Sequence, residues 1–406
     1  MIQRTYHRNA FTLVELLVSL VVLSLLAGMV IAAVQGVNQT AREARTRSII
    51  DAIDSVLMEQ YQSYKYRPFS VEIPSLETQV NSMVDVGFEI LASESARVRL
   101  MMIRDMQRME MPDRLSDIVD APTPLYAAAN KVAVNQAGRI VRTPDGKQFR
   151  KVFPVSWYGV NPDSNDVMDT LGVPSRLAAY RSRFPAGFDF TNTEALKNQG
   201  AECLYLIMAT SFVGGSPAID VIPNSSIGDT DNDGLPEILD GWGNPLGFIR
   251  WPVGYLDLEQ SIDTAVADDV DLYRSDYAYA VSNATSPALA TDVNSVPPVQ
   301  VRPWSLRPLV FSAGADGEFG IATNPWSDAG VEQTNFSYRA NWDWPLDVSH
   351  YGNELPGRAS NNVPTFPDPY LRRFVETQTG ASRRLPGQIV TPVSAKFIAD
   401  NISNYK

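Results

Sequence analysis

From Phe11 to Val34 the chain reads FTLVELLVSLVVLSLLAGMVIAAV, an apolar run with a single charge, Glu15, and no proline. A helix needs about 20 such residues to cross the hydrocarbon core of a bilayer, so the run predicts a membrane-spanning helix. Beyond it the pattern changes period without a break. From Asn38 to Tyr64 there is again no proline, and Ile49, Ile53, Leu57 and Tyr61 recur every four residues, flanked by Ile50 and Tyr64. Arg47, Asp51, Asp54 and Glu59 fall largely elsewhere. This is the signature of an amphipathic helix, so the rod continues outward with an apolar stripe that needs a sheet to lie on. Pro68 marks the first break.

Farther along, Glu94 to Met111 reads as a helix with Val98, Met102, Met106 and Met109 on one side and Arg97, Arg104 and Arg108 elsewhere, ended by Pro112. Such a methionine stripe predicts core filling, with a partner groove as the other reading. Thr193 to Phe212 reads as another helix through Ala195, Leu196, Leu204, Ile207 and Met208. From Pro217 the texture shifts to short apolar runs between Gly, Pro, Asn and Asp. Leu246–Trp251, Tyr277–Val281 and Leu309–Ser312 read as strands. Residues 323–387 carry many Pro, Trp, Tyr and Asn without clear periodicity. The expected organisation is a leader at 1–10, a membrane helix at 11–34, its amphipathic extension at 35–66, a mixed and partly helical insertion at 67–216, and a β-rich head at 217–406. The fold class is α+β.

The leader, MIQRTYHRNA, does not read as an ordinary secretory signal. Such a signal has an apolar stretch of about 7 to 15 residues followed by small residues at the cleavage site, whereas here the stretch is longer and the small residue, Ala10, precedes it. Cleavage before the helix fits the pattern. A carboxylate inside a membrane span is unfavourable by about 2.5 to 3.5 kcal/mol on insertion scales, so Glu15 needs a partner. A cut between Ala10 and Phe11 would create an α-amine one helical turn away, within one chain or on a neighbour. The plainer reading is that Glu15 lies at headgroup depth and snorkels.

The stretch RNA-FTLVELLVSLVVLSLLAGMV resembles the class III leader and first helix of type IV prepilins and type II secretion pseudopilins, with Ala10 where the family usually has glycine. The resemblance implies cleavage after Ala10 by a prepilin peptidase that also methylates the new amine of Phe11. It implies that Glu15 docks against a neighbouring subunit's amine during assembly. It further implies a pilin-like fold, with a long helix packed on a small antiparallel sheet, carrying here large loop and helical insertions. The basic residues flanking the span, Arg4 and Arg8 before it and Arg42, Arg45 and Arg47 after it, do not by themselves fix orientation. The family's cytoplasm-facing peptidase implies a cytoplasmic leader and an external head.

Composition narrows the chemistry. The chain has 406 residues and a net charge of −12 with a pI near 4.8, which disfavours nucleic-acid binding because neutralising phosphates takes an excess of Lys and Arg. Cys203 is the single cysteine, and the two histidines include His7 in the leader, so neither a disulfide framework nor a Cys/His zinc set is available. Cys203 itself reads as a small buried hydrophobe. No nucleophile elbow or phosphate loop is present, and the many carboxylates read as surface rather than as a glycosidase pair. The expectation is a protein without enzymatic activity.

The sharpest remaining constellation is GDTDNDGLPEILDGW, residues 228–242. Counting from Asp229, oxygen donors fall at Asp231, Asp233, Glu237 and Asp240, with Gly234 for the bend and the carbonyl of Leu235 between them. That is the ligand spacing of a calcium loop. Pro236, Gly241 and Gly243 argue against the flanking helices of an EF-hand, so the loop resembles the helix-poor calcium loops of dockerin-like and thrombospondin-type repeats. The bland alternative is a solvated Asp/Asn/Gly turn. Three further stretches, DGWGNPLGF at 240–248, FSAGADGEFG at 311–320 and ADNI at 399–402, resemble motifs of major pseudopilins. By that resemblance Asp316 and Asp400 contribute to a second calcium site; the bland reading of FSAGADGEFG is a turn between strands.

The sequence therefore leads to a pilin-like subunit, single-pass in the inner membrane with its bulk in the periplasm or on the cell surface. Its partners would be copies of itself and other pilin-like subunits, the peptidase, and an inner-membrane assembly platform. The rival is a surface-displayed adhesin or binding module that uses the pilin helix for export. A rigid aromatic pocket between Pro68 and Pro217 would favour the adhesin, and a helix packed along the spine would favour the structural subunit.

Overall fold

A computed structural model of the chain describes residues 13–67, 99–100, 102–120, 122, 124–132, 150–154, 167–170, 173–190, 192, 195–255, 268–273, 305–338, 369–371, 382–390 and 401–405. The apolar run and the amphipathic segment form one continuous helix, α1 (Leu13–Ser63), which tightens into a 3-10 turn at Tyr64–Tyr66 and ends at Arg67 in extended backbone. Pro68 follows, and the residue before a proline is pushed out of the helical region.

The two halves of α1 meet different surroundings. Every residue from 13 to 38 is exposed, whereas Ile49, Ile50, Ile53, Leu57, Tyr61 and Tyr64 are all buried. Each fully buried aliphatic or aromatic side chain of this stripe stabilises the packed head by about 1.5 to 3 kcal/mol relative to exposure.

The sheet under the stripe is assembled from distant pieces. Strand β8 (Gly247–Ile249) pairs antiparallel with β9 (Leu309–Ser312), and β9 pairs antiparallel with β10 (Ile402–Ser403). The registers set Gly247 opposite Phe311 and Ile402 opposite Ser312. Alternation along the strands then sorts the side chains. Phe248, Val310 and Ile402 join the main core with the spine, while Ile249, Leu309 and Phe311 form a second cluster with Ile321 on the other face. Helix α1 lies against β9 and β10. Another antiparallel sheet, in the order β2-β1-β3, is formed by β1 (Pro124–Val132), β2 (Arg150–Pro154) and β3 (Val167–Thr170). The architecture is the α+β, pilin-like one: a long N-terminal helix on small antiparallel sheets.

Four short helices complete the described head: α2 (residues 102–110), α3 (Leu115–Val119), α4 (Ser175–Arg181) and α5 (Gln199–Thr210). Helix α2 packs alongside the end of the spine. Gln60 Nε2 donates to the Glu110 carbonyl at 3.1 Å, and Arg67 Nη1 meets Glu110 Oε2 at 2.5 Å. Met102, Met106 and Met109 are core, as the stripe predicts, but so are Arg104 and Arg108, which pair with Asp268 and Asp105. The helix is buried all round.

Helix α5 is shorter than the periodicity predicts. Residues 195–198 form a turn, and Asn198, at the N-cap, makes no side-chain cap; its Nδ2 donates to the acidic loop. At the other end Ser211 is extended, and a tight hairpin follows, β4 (Phe212–Val213) with β5 (Ser216–Pro217) around Gly214 and Gly215, both at positive φ. Within α5, Gly200 is required by proximity: a Cβ there would stand 2.9 Å from the Phe248 carbonyl oxygen of β8. Of the strands expected from sequence, 309–312 is observed as read, 246–251 is trimmed to β8, and Tyr277–Val281 lies outside the described residues.

Candidate cation site on the head

The acidic loop is the connection of a small antiparallel hairpin, β6 (Ile227–Gly228) with β7 (Glu237–Ile238). No helix flanks it, in keeping with Pro236 and the glycines that follow. Gly234 sits at φ +94 and Asn232 at φ 60, so the bend uses the left-handed region twice. Inside the loop, Gly234 N donates to Asp229 Oδ2 at 3.1 Å and Leu235 N to Asp233 Oδ1 at 2.7 Å. Thr230 N donates to Glu237 Oε2 at 2.8 Å, and the Asn198 amide reaches Asp231 Oδ2 at 3.2 Å and Glu237 Oε1 at 3.1 Å.

These contacts gather the carboxylates. Asp229, Asp231 and Asp233 each place an oxygen within 4.8 Å of the others, and so do Asp231, Glu237 and Glu202. Asp231 belongs to both sets. Oxygens bound to one Ca2+ at roughly 2.3–2.6 Å lie no more than about 5 Å apart, so each set by itself fits one hard cation. Glu202 comes from α5 rather than from the loop and is 0% exposed. Both of its carboxylate oxygens, together with Asp231 Oδ1 and Asp233 Oδ2, are buried without a hydrogen-bond donor.

Electrostatics follow from this geometry. Burial first, then the charges of Asp233, Asp231 and Glu237, push the Glu202 carboxyl up to about 9. Burial likewise raises Asp233 and Glu237. Among the described residues no Lys or Arg forms an ion pair with any of these acids.

Asp240, the residue expected to close the loop, lies outside the cluster. Its Oδ1 accepts from Trp242 N at 2.8 Å and Asn244 N at 2.9 Å, and its Oδ2 accepts from Ser312 Oγ at 2.7 Å. The cause is the β backbone. Leu239 continues the strand by bridging to Pro245, and side chains alternate, so an odd offset of three turns Asp240 to the face opposite Glu237. Leu235 is buried in the core, with its amide tied to Asp233.

The three pseudopilin-like stretches converge even so: they contribute Gly247 and Phe248 to β8, Phe311 and Ser312 to β9, and Ile402 to β10 of one sheet. Asp316 is exposed and accepts from Glu318 N at 2.9 Å within its own turn, while Asp400 lies outside the described residues.

The hairpin is also where the head grips the spine. Arg45 Nη2 donates to Ser225 Oγ at 2.5 Å and Ser226 Oγ at 2.7 Å, just before β6. Just after β7, Gly241 N donates to Thr46 Oγ1 at 2.8 Å and Trp242 Nε1 to Gln39 Oε1 at 3.1 Å.

At the N-terminal end, Glu15 lies in the first exposed turn of α1, where a carboxylate also complements the helix dipole; Ala10 and Phe11 lie outside the described residues. Among the described residues α1 is the one helix long and apolar enough to cross a membrane, and its apolar window is not buried in the head.

Residues 6–31 match the family model described as the prokaryotic N-terminal methylation motif. Comparison with curated proteins gave no match, and comparison with solved structures gave none.

Proposed function

Starting from an N-terminus of the prepilin type, we propose that this protein is a structural subunit of a type II secretion pseudopilus or related type IV pilus-like fibre. It resides as a single-pass inner-membrane protein until a prepilin peptidase cuts after Ala10 and methylates Phe11. An assembly platform in that membrane then extracts it. In the fibre the apolar halves of α1 bundle, each Glu15 meeting a neighbour's Phe11 amine as it leaves the bilayer. The observation that carries the reading is the matched motif on a helix whose first half is wholly exposed and apolar while its second half is built into the head. The packing of α2 along the end of the spine favours a structural subunit over a displayed binding pocket. The role is one of assembly rather than of catalysis.

The head takes up Ca2+ at the hairpin loop, where carboxylates are gathered with no Lys or Arg paired to them among the described residues; the ion stabilises the folded state by binding it preferentially. Sequencing the N-terminus of the mature protein tests the main reading, with N-methylphenylalanine from position 11 expected and an intact Met1 start counting against it. Glu15→Ala should leave membrane insertion intact and reduce incorporation into fibres; normal incorporation would remove the amine-pairing step.

A further inference from the structure

The reading of the loop as a calcium site leaves open which group completes it. We propose that the site is closed by Glu202 of α5 in place of Asp240, so that one Ca2+ is held between helix and hairpin by Glu202, Asp231 and Asp233, with Asp229 and Glu237 at its margins. This inference rests on the calcium reading above and makes a separate claim about the ligand set.

Two independent observations carry it. One is position: Glu202 shares an oxygen-to-oxygen span within 4.8 Å with Asp231 and Glu237, whereas the Asp240 carboxylate accepts from Trp242, Asn244 and Ser312. The other is the state of the oxygens. Glu202 is fully buried and neither of its carboxylate oxygens has a donor, the same being true of one oxygen on Asp231 and one on Asp233. Carboxylate oxygens buried without donors are unfavourable, and a hard cation bound among these acids would supply what they lack.

The remaining oxygens of the loop acids are already held. Asp231 Oδ2, Asp233 Oδ1 and both Glu237 oxygens accept from amide or hydroxyl groups. Those bonds leave the free oxygens to an ion. Pro185 covers the bend, standing 2.9 Å from where a Cβ on Gly234 would be, so the loop is roofed by the segment after α4.

The consequence is a staple. A ligand from α5 and ligands from the hairpin join two elements through one ion, and the hairpin's two flanks hold Arg45, Thr46 and Gln39 of the spine. Loading the site therefore fixes the hairpin between the core and the shaft.

The test is calorimetric titration of CaCl2 into the full chain in detergent micelles, after chelator treatment, for the wild type, Glu202→Gln, Asp231→Asn and Asp240→Asn. Ligand charge tunes calcium affinity over decades, so Glu202→Gln and Asp231→Asn should each weaken binding by roughly 100-fold, and Asp240→Asn by less than about threefold. In chelator the thermal midpoint of Glu202→Gln should equal or exceed that of the wild type, because the neutral amide adds no charge to the ion-free cluster. A lower midpoint would mark Glu202 as merely structural and overturn the proposal. Retained affinity in Glu202→Gln with loss in Asp240→Asn would overturn the ligand set and keep calcium. A wild type that binds no calcium overturns both readings.

Discussion

Helix α5 separates two buried clusters of charge that look alike in composition lists and differ in what they need. On one side Asp113 and Asp117 face Arg250, Arg114 and Arg108, the last also paired with Asp105. On the other lie Glu202, Asp231, Asp233 and Glu237 with no cation of the protein's own among the described residues. Cys203, between them and fully buried, is pushed well up by burial and then by charges from both sides, Glu202 on one and Asp117 and Asp113 on the other. The balanced cluster answers its charges internally. Arg250 Nη1 meets Asp117 Oδ2 at 2.6 Å and the Met111 carbonyl at 2.9 Å, and its guanidinium carbon lies 4.0 Å from the Trp251 ring centre. Against the burial that raises it, the charges of Arg250 and Arg114 hold the Asp113 carboxyl below its ordinary range. The comparison teaches that burial of charge alone does not identify a site; burial of one sign without its partner does.

The largest effect that would break this contrast lies in the balanced cluster. Arg250→Leu leaves Asp113 and Asp117 buried without their shared guanidinium, and removing one partner of a buried pair costs about 3–5 kcal/mol. Denaturant midpoints should show that loss equally in calcium and in chelator. A loss that depends on calcium would mean the two clusters are one system.

The next effect belongs to the all-acid cluster. With free Ca2+ at about 100 times its dissociation constant, the folded head should gain about 2.7 kcal/mol over the chelated protein. The double variant Asp231→Ala with Asp233→Ala should melt at the same temperature in both conditions. Thermal melts of the two proteins, with and without chelator, check this, and a wild-type midpoint blind to the chelator would leave the cluster as a plain acidic surface.

Much of this was legible in the sequence, and the misses have physical causes. The spine reads directly because its two halves differ in pattern and in setting, an exposed apolar run along 13–34 and packed protein along the stripe from Ile49 to Tyr64. The loop acids read from alternation and a bend at Gly234. Glu202 does not, because a glutamate in a helical segment ordinarily faces water, and only the tertiary packing of α5 on the hairpin turns it inward. Counting donor positions along the loop assigns Asp240 to the ion; the strand at Glu237–Ile238 turns it to the other face instead. The hidden signal was Gly200, two residues before Glu202, whose lack of a side chain permits the close approach of α5 to β8.

The last effect is the most specific to the contrast, since it depends on a proton rather than on a contact. An ordinary glutamate carboxyl titrates near 4.5, and in the ion-free head Glu202 holds its proton up to about 9. Between those values the native state binds more protons than the unfolded chain, so stability falls as pH rises. Asp117 adds a slope of the same sign only up to about 6. Thermal midpoints taken in chelator from pH 6 to pH 9 should therefore decline because of Glu202, and Glu202→Gln should flatten the decline. Saturating calcium should flatten it too, because the ion takes the place of the proton and Glu202 is ionised in both states. A flat wild-type profile in chelator would mean that the acid cluster is relieved some other way, and the distinction between the two sides of α5 would disappear.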